Sequence, residues 1–78
     1  MNLIILTPEK NIFDGEVDLV QLPGSDGSFD ILNNHAPMIA SLQKGKIKVG
    51  NNNDLQYFEI NGGVVEVLNN KILVLAEI

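Results

Sequence analysis

The groups that could act as nucleophiles or bases are few in this chain. His35 is the only histidine, and there is no cysteine. A Ser-His-carboxylate arrangement needs a serine that a histidine activates, and Ser25, Ser28 and Ser41 all lie outside any G-x-S-x-G sequence. Catalysis is therefore not indicated. We expect His35 to be a loop residue that hydrogen-bonds to the backbone or faces a partner.

Metal and phosphate sites are not indicated either. Asp26 and Asp30 flank a Gly-Ser-Phe sequence, but a calcium loop needs more oxygen ligands at regular spacing and a closing glutamate. The phosphate-binding loop G-x-x-x-x-G-K-[ST] does not occur, because Ala40 stands where its first glycine belongs. We therefore expect no metal, no cofactor and no bound nucleotide.

The charge balance argues against a polyanionic partner. The chain has 5 cationic residues, all lysines, against 10 acidic ones, which gives a net charge of −5. Nucleic-acid binding requires clustered Lys and Arg, and only Lys44, Lys46 and Lys48 cluster. Their spacing predicts one solvated face of a strand. No apolar run approaches the roughly 18 residues of a membrane span, so we expect no direct membrane insertion.

Strands must position these side chains. At 78 residues the chain has room for one small domain, residues 1–78, and its 45% hydrophobic content with few aromatics makes Ile, Leu and Val the core residues. Apolar residues recur with period two or in short runs, which is typical of β-structure. The predicted fold is all-β, a sandwich or flattened barrel, with strands at Leu3–Thr7, Glu16–Leu22, Ser28–Ile31, Met38–Leu42, Lys46–Val49, Leu55–Ile60, Val64–Leu68 and Lys71–Glu77.

Asparagine and glycine mark the connections between these strands. Asn69-Asn70 predicts a two-residue type I′ hairpin, because Asn tolerates the positive φ angles that this turn demands. The segment from Gly50 to Asn53 predicts a second, looser hairpin. Gly62-Gly63 separates two apolar strands, which indicates a bulge or a sharp corner.

Two segments are apolar on both faces. Leu3–Leu6 and Ile72–Ala76 contain only apolar residues, whereas a strand with one face in water alternates apolar and polar residues. Either a partner protein covers the second face, or the strands lie centrally and the sandwich and its loops bury both sides. A partner would also stabilise so small a core.

An ordered series of short motifs runs along the chain. Its central part contains Pro23-Gly24, Asp26-Gly27, Ile31-Leu32, His35-Ala36-Pro37 and Leu42 with Gly45, preceded by Thr7-Pro8-Glu9-Lys10, Phe13 and Gly15 and followed by Gly62–Val67, Asn70 and Val74–Ala76. In this order and spacing the series resembles the signature of the ε subunit of F-type ATP synthases, which is called δ in mitochondria. The resemblance covers essentially the whole chain.

The resemblance implies a flattened antiparallel β-sandwich of about ten short strands in two sheets. It also implies a non-catalytic rotor subunit that binds the γ subunit along one side and the c-ring through loops at one end, in proton-motive-force-coupled ATP synthesis. On this reading the c-ring contacts come from Asp26, Ser28, Phe29, Asp30 and His35, and the γ contacts from Met38, Ala40 and Leu42.

The chain departs from the family pattern in several places. Asn33-Asn34 replaces the usual Pro-Gly before the histidine, and Asn can still take the left-handed conformation. Ser28 stands where some relatives carry a carboxylate that faces the ring. The sequence ends at Ile78, before the C-terminal helical hairpin to which regulation is attributed in the family. If Ile78 is the natural terminus, we expect a domain that couples without regulating.

The resemblance also implies a location. Such a subunit is a peripheral part of a complex at the cytoplasmic face of a bacterial inner membrane, or at an organellar energy-transducing membrane. The alternative function is a free-standing β-sandwich binding module whose Gly-rich loops hold a small ligand or a peptide. That alternative explains the predicted fold but leaves the ordered motifs unexplained.

Overall fold

The computed structural model describes residues 1–78 and contains seven β-strands and no helix, which confirms the all-β prediction. Most of the predicted strands are present, and the structure adds the edge strand β2, which the apolar pattern does not predict. The strands are β1 (Asn2–Leu6), β2 (Asn11–Glu16), β3 (Leu19–Gly24), β4 (Gly27–Leu32), β5 (Met38–Asn51), β6 (Asp54–Leu68) and β7 (Lys71–Glu77).

The strands form one sheet in the order β2-β1-β7-β6-β5-β3-β4. The expected β-sandwich is present, but its seven strands form one sheet instead of about ten strands in two sheets. In particular, β5 and β6 each join two predicted strands into one of 14 and 15 residues. The expectation of a purely antiparallel sheet is wrong at one place, where β1 pairs parallel with β7. That pair joins the two ends of the chain, and the rest of the domain supplies the long connection that a parallel pair needs.

The sheet folds over on itself where β5 and β6 bend. Pairing is interrupted between Gln43↔Gly62 and Gly45↔Ile60, and Gly62 and Gly63 have φ angles of 152° and 151° that favour glycine. The smallest extent of the molecule is 19 Å, about twice the thickness that one sheet layer contributes. The predicted corner at Gly62-Gly63 is therefore confirmed, and the domain is a two-layered sandwich.

We call the two halves of the folded sheet the first and second layers. The first layer contains β2, β1, β7, the second half of β6 and the first half of β5; the second contains the remaining halves of β6 and β5, then β3 and β4. Sixteen buried apolar residues lie between the layers. Along one open side, Phe13 of β2 meets Phe58 of β6 edge to face, with ring centroids 5.7 Å apart.

Two asparagine pairs form the hairpin tips. Asn69 and Asn70 have φ angles of 51° and 60° between the paired residues Leu68 and Lys71, which confirms the predicted two-residue turn. Asn52 and Asn53, with φ angles of 51° and 69°, also make a two-residue turn. The second hairpin is thus as tight as the first, and the prediction of a looser one is wrong.

Both hairpin tips lie at one end of the sandwich, because the bend returns β5 and β6 to the end from which they started. Hydrogen bonds join the segments there: Asn2 N–H donates to the Asn70 carbonyl at 3.1 Å, and Asp18 N–H donates to the Gly50 carbonyl at 2.9 Å. We call this the asparagine end. The opposite, bend end carries the β3–β4 turn and the corner of β5 and β6.

Candidate interaction surfaces

The exposed side chains of the sandwich form several distinct surfaces and grooves. No group of three or more His, Cys, Asp or Glu side chains is arranged to hold a metal ion. No helix of the length and hydropathy of a membrane span is present. His35 is exposed, and its Nδ1 donates a hydrogen bond of 2.7 Å to the Ala36 carbonyl oxygen. The expectation that His35 is a loop residue bonded to the backbone is confirmed.

The outer side of the first layer is an apolar face. Cross-strand register places its side chains in two rows, one running Leu6–Leu75–Val64 and the other containing Ile4, Leu73 and Ile39. We call these side chains the apolar face. Ile39, Leu75 and Val64 are 73%, 52% and 43% exposed, and the other three are half-buried. The second faces of the doubly apolar strands are thus only partly buried by this chain, with Leu75 the most open to solvent. The strands do lie centrally in the sheet, but the domain does not bury both of their sides completely.

The residues predicted for the γ side lie mostly on the inner face of β5. Leu42 belongs to the core at 5% exposure, and Met38 and Ala40 are half-buried against the core. Leu42 therefore offers almost no surface to a partner in this structure. Because successive side chains of a strand alternate between faces, Ile39 is the residue of this segment that faces outward.

The residues predicted for the c-ring do not form a single end loop. Asp26 lies in the β3–β4 turn, Ser28 and Asp30 are exposed on β4, and Phe29 is half-buried between them. His35 follows β4 at the asparagine end, whereas Asp26 precedes β4 at the bend end. The structure therefore spreads these residues along β4, which is an edge strand of the sheet.

A groove contains residues from both the predicted c-ring group and the predicted γ group. It has a volume of about 550 Å³ and lies between the β3–β4 turn with the start of β4 on one side and Met38–Ser41 of β5 on the other. Phe29, Met38 and Ala40 line it. The two sides are joined where Ser25 N–H donates to the Ser41 carbonyl oxygen at 3.0 Å and Gln43 Nε2 donates to the Gly24 carbonyl oxygen at 2.8 Å.

The second layer has a different outer side. Leu55 and Tyr57 of β6, at 50% and 57% exposure, lie on it, as does Leu32 of the edge strand β4, at 58%. Lys48 lies opposite Tyr57, and Lys46 lies opposite Glu59. Polar and charged side chains thus interrupt the apolar ones here. The predicted lysine face is present at Lys46 and Lys48, although Lys44 lies beyond them at the bend.

Comparison with known proteins gives one consistent result. The family described as "ATP synthase, Delta/Epsilon chain, beta-sandwich domain" matches residues 1–78. The chain is 39% identical to the ATP synthase epsilon chain of Caulobacter vibrioides, covering 99% of this chain and 90% of that protein. It is 43% identical to that of Chlorobium limicola, covering 96% and 86%. Against the Leptospira borgpetersenii protein, at 38% identity, it spans only 61% of the relative's length.

Solved structures show the same fold. A chain in the central stalk and c-ring of the Tetrahymena thermophila mitochondrial ATP synthase matches with a TM-score of 0.82 at 22% identity, covering 99% of this chain and 63% of that one. A chain in the Euglena gracilis mitochondrial enzyme matches with a TM-score of 0.89 at 18% identity, covering 95% and 48%.

Proposed function

The chain belongs to the ATP synthase delta/epsilon family, whose β-sandwich domain it spans, and on that premise we propose that it is a non-catalytic subunit of the central-stalk rotor of an F-type ATP synthase. Its function is to join the γ subunit to the c-ring, so that ring, ε and γ turn together during proton-motive-force-coupled ATP synthesis. It carries out no bond chemistry.

The apolar face supports this proposal most directly, and we assign it to γ. Single exposed apolar residues are ordinary, but a contiguous group on one sheet face is typical of a protein interface. The face spans β1, β7, β6 and the first half of β5, and Ile39 and Leu75 project from it. We still assign the Met38–Leu42 segment to the γ side, but we propose that Ile39, and not Leu42, makes the contact.

We assign the c-ring contact to the β4 edge. Asp26, Ser28 and Asp30 are all exposed there, so this edge offers polar and acidic side chains to a partner with a polar surface. A partner laid along β4 from the bend end reaches these three residues first. Phe29 contributes its exposed part, and His35 takes part only if the contact runs the full length of the strand.

The bacterial relatives support a location at the cytoplasmic face of an inner membrane, as a peripheral part of the complex. An organellar energy-transducing membrane is the alternative, since the matching structures are mitochondrial.

The test is reconstitution of the whole enzyme in vesicles with and without this chain, with ATP hydrolysis and proton pumping followed together. We expect the chain to bind γ and to restore pumping relative to hydrolysis. A chain that does not bind γ and leaves coupling unchanged would instead support a free-standing binding module. For the ring contact, Asp26→Asn with Asp30→Asn is expected to lower pumping while γ affinity stays unchanged.

A further inference from the structure

One acidic side chain lies inside the apolar face. Glu66 of β6 is exposed on the outer side of the first layer. Its cross-strand partners on both sides are apolar, Leu73 of β7 and Ile39 of β5. Along its own strand, Val64 and Leu68 point to the same side and are 43% and 49% exposed. Glu66 is therefore a carboxylate that apolar side chains surround on all four sides.

This carboxylate has no cation of its own. The one ion pair within 4 Å in the structure joins the Met1 ammonium to Glu16 at 3.5 Å. Lys71 also projects from this side of the sheet. It lies opposite Leu68, diagonal to Glu66, and lines a depression together with Glu66, but it makes no ion pair with the Glu66 carboxylate. Asp14, opposite Ile4, and Glu77, opposite Gly62, add further negative charge to the margin of the face. The face is thus apolar with a negative balance.

Glu66 also separates two depressions in the surface. One, of about 150 Å³, is lined by Ile39, Val64, Glu66, Leu73 and Leu75. The other, of about 330 Å³, is lined by residues that include Ile4, Glu66, Leu68, Lys71 and Leu73. Glu66 and Leu73 belong to both. A segment that lies across the face passes directly over the Glu66 carboxylate between one depression and the next.

Covering the face removes water from that carboxylate. A carboxylate buried without a partner is strongly unfavourable, whereas one that meets a basic side chain with good geometry is compensated. Arginine is well suited, because its guanidinium binds a carboxylate with two parallel hydrogen bonds and tolerates apolar surroundings. A partner lacking a cation at this position would be rejected, which is how unpaired charges give specificity.

We propose that Glu66 is the specificity-determining residue of the apolar face, and that it selects a partner segment with one basic side chain between two apolar ones. The apolar side chains occupy the two depressions, and the basic one pairs with the Glu66 carboxylate. This rests on the proposed function, in which the apolar face binds γ.

The test compares Glu66→Gln with Glu59→Gln, an exposed glutamate of the same strand that faces outward from the second layer. Affinity for the γ subunit of the same organism is measured at low and high salt. We expect Glu66→Gln to weaken binding at least about tenfold and to flatten its salt dependence, while Glu59→Gln matches the unmodified chain. Glu66→Lys should abolish binding, and one charge reversal of a basic γ residue should restore it.

The proposal is overturned if Glu66→Gln keeps the affinity and the salt dependence of the unmodified chain while Leu75→Ser weakens binding, since the face then binds γ without a charge requirement. It is also overturned if no charge reversal in γ restores the Glu66→Lys variant. If neither Leu75→Ser nor Glu66→Gln weakens binding, the proposed use of the apolar face is itself wrong. Thermal unfolding of each variant shows whether the fold is intact.

Discussion

The backbone N–H of Asn34 donates a hydrogen bond of 2.8 Å to Oδ1 of Asn70, which ties the loop after β4 to the β6–β7 hairpin. Asn34 itself takes the left-handed conformation, with φ of 65°, so the Pro-Gly turn usual in the family is replaced by an asparagine that keeps the backbone angle. On the other side of this loop, the Met1 ammonium donates to Asn33 Oδ1 at 2.9 Å. The segment before His35 is thus held by side chains of asparagine.

This relationship gives a first prediction. Asn70→Gly keeps the positive φ angle but removes the acceptor, and we expect it to lower the free energy of unfolding by about 0.5–1.5 kcal/mol. Asn70→Asp keeps an acceptor oxygen at the same place and is the matched control, with a smaller loss. Urea unfolding measures both, and amide exchange at Asn34 should accelerate only in Asn70→Gly. Equal exchange in the two variants would contradict the account.

A second prediction concerns the corner that folds the sheet. A Cβ on Gly63 would collide with the Leu75 carbonyl oxygen, whereas a Cβ on Gly27 would meet nothing within 4 Å; both glycines have positive φ angles, 151° and 126°. Gly27→Ala therefore adds backbone strain alone, about 1–3 kcal/mol. Gly63→Ala should cost about 1–3 kcal/mol more because of the collision. Urea unfolding measures the loss of stability in each variant. A larger loss for Gly27→Ala than for Gly63→Ala would show that the close contact at Gly63 does not restrict this corner.

A third prediction concerns the side of the sandwich that Phe13 and Phe58 close. A double-mutant cycle with Phe13→Leu and Phe58→Leu should give a coupling free energy of about 0.5–1.5 kcal/mol, as expected of an edge-to-face pair. Phe29 borders the groove by β4, so the cycle of Phe13→Leu with Phe29→Leu is the control and should show additive effects. Additivity in both cycles would mean that the ring contact contributes nothing beyond ordinary burial.

The sequence predicted the features that depend on local backbone angles. Asn69-Asn70 and Gly62-Gly63 demand positive φ, and both the hairpin and the corner are present. The number of strands was overestimated because glycine and asparagine near the bend were interpreted as strand ends, whereas β5 and β6 continue through it. The short strand β2 was missed because none of its side chains is fully buried and its apolar pattern is weak.

The candidate interface was predicted only by segment. Met38, Ile39 and Ala40 are all apolar. The alternation of side chains along a strand therefore cannot show whether Ile39 or its two neighbours face the core. On β5 the inward positions also change from even to odd between Leu42 and Ile47, a change that the bend causes. The apolar surroundings of Glu66 cannot be predicted from the sequence, because they are formed by Leu73 and Ile39 of the neighbouring strands.

The central claim is that the outer side of the first layer, and not that of the second, binds γ. Leu75 and Leu55 offer a matched comparison, since they are the same residue type at 52% and 50% exposure on opposite outer sides of the sandwich. The most direct measurement is the Kd for the γ subunit of the same organism, by calorimetry, for Leu75→Ser and Leu55→Ser. The account predicts at least about tenfold weaker binding for Leu75→Ser and an unchanged Kd for Leu55→Ser, with both variants folded. Equal affinity of the two variants, or a larger loss for Leu55→Ser, would contradict it.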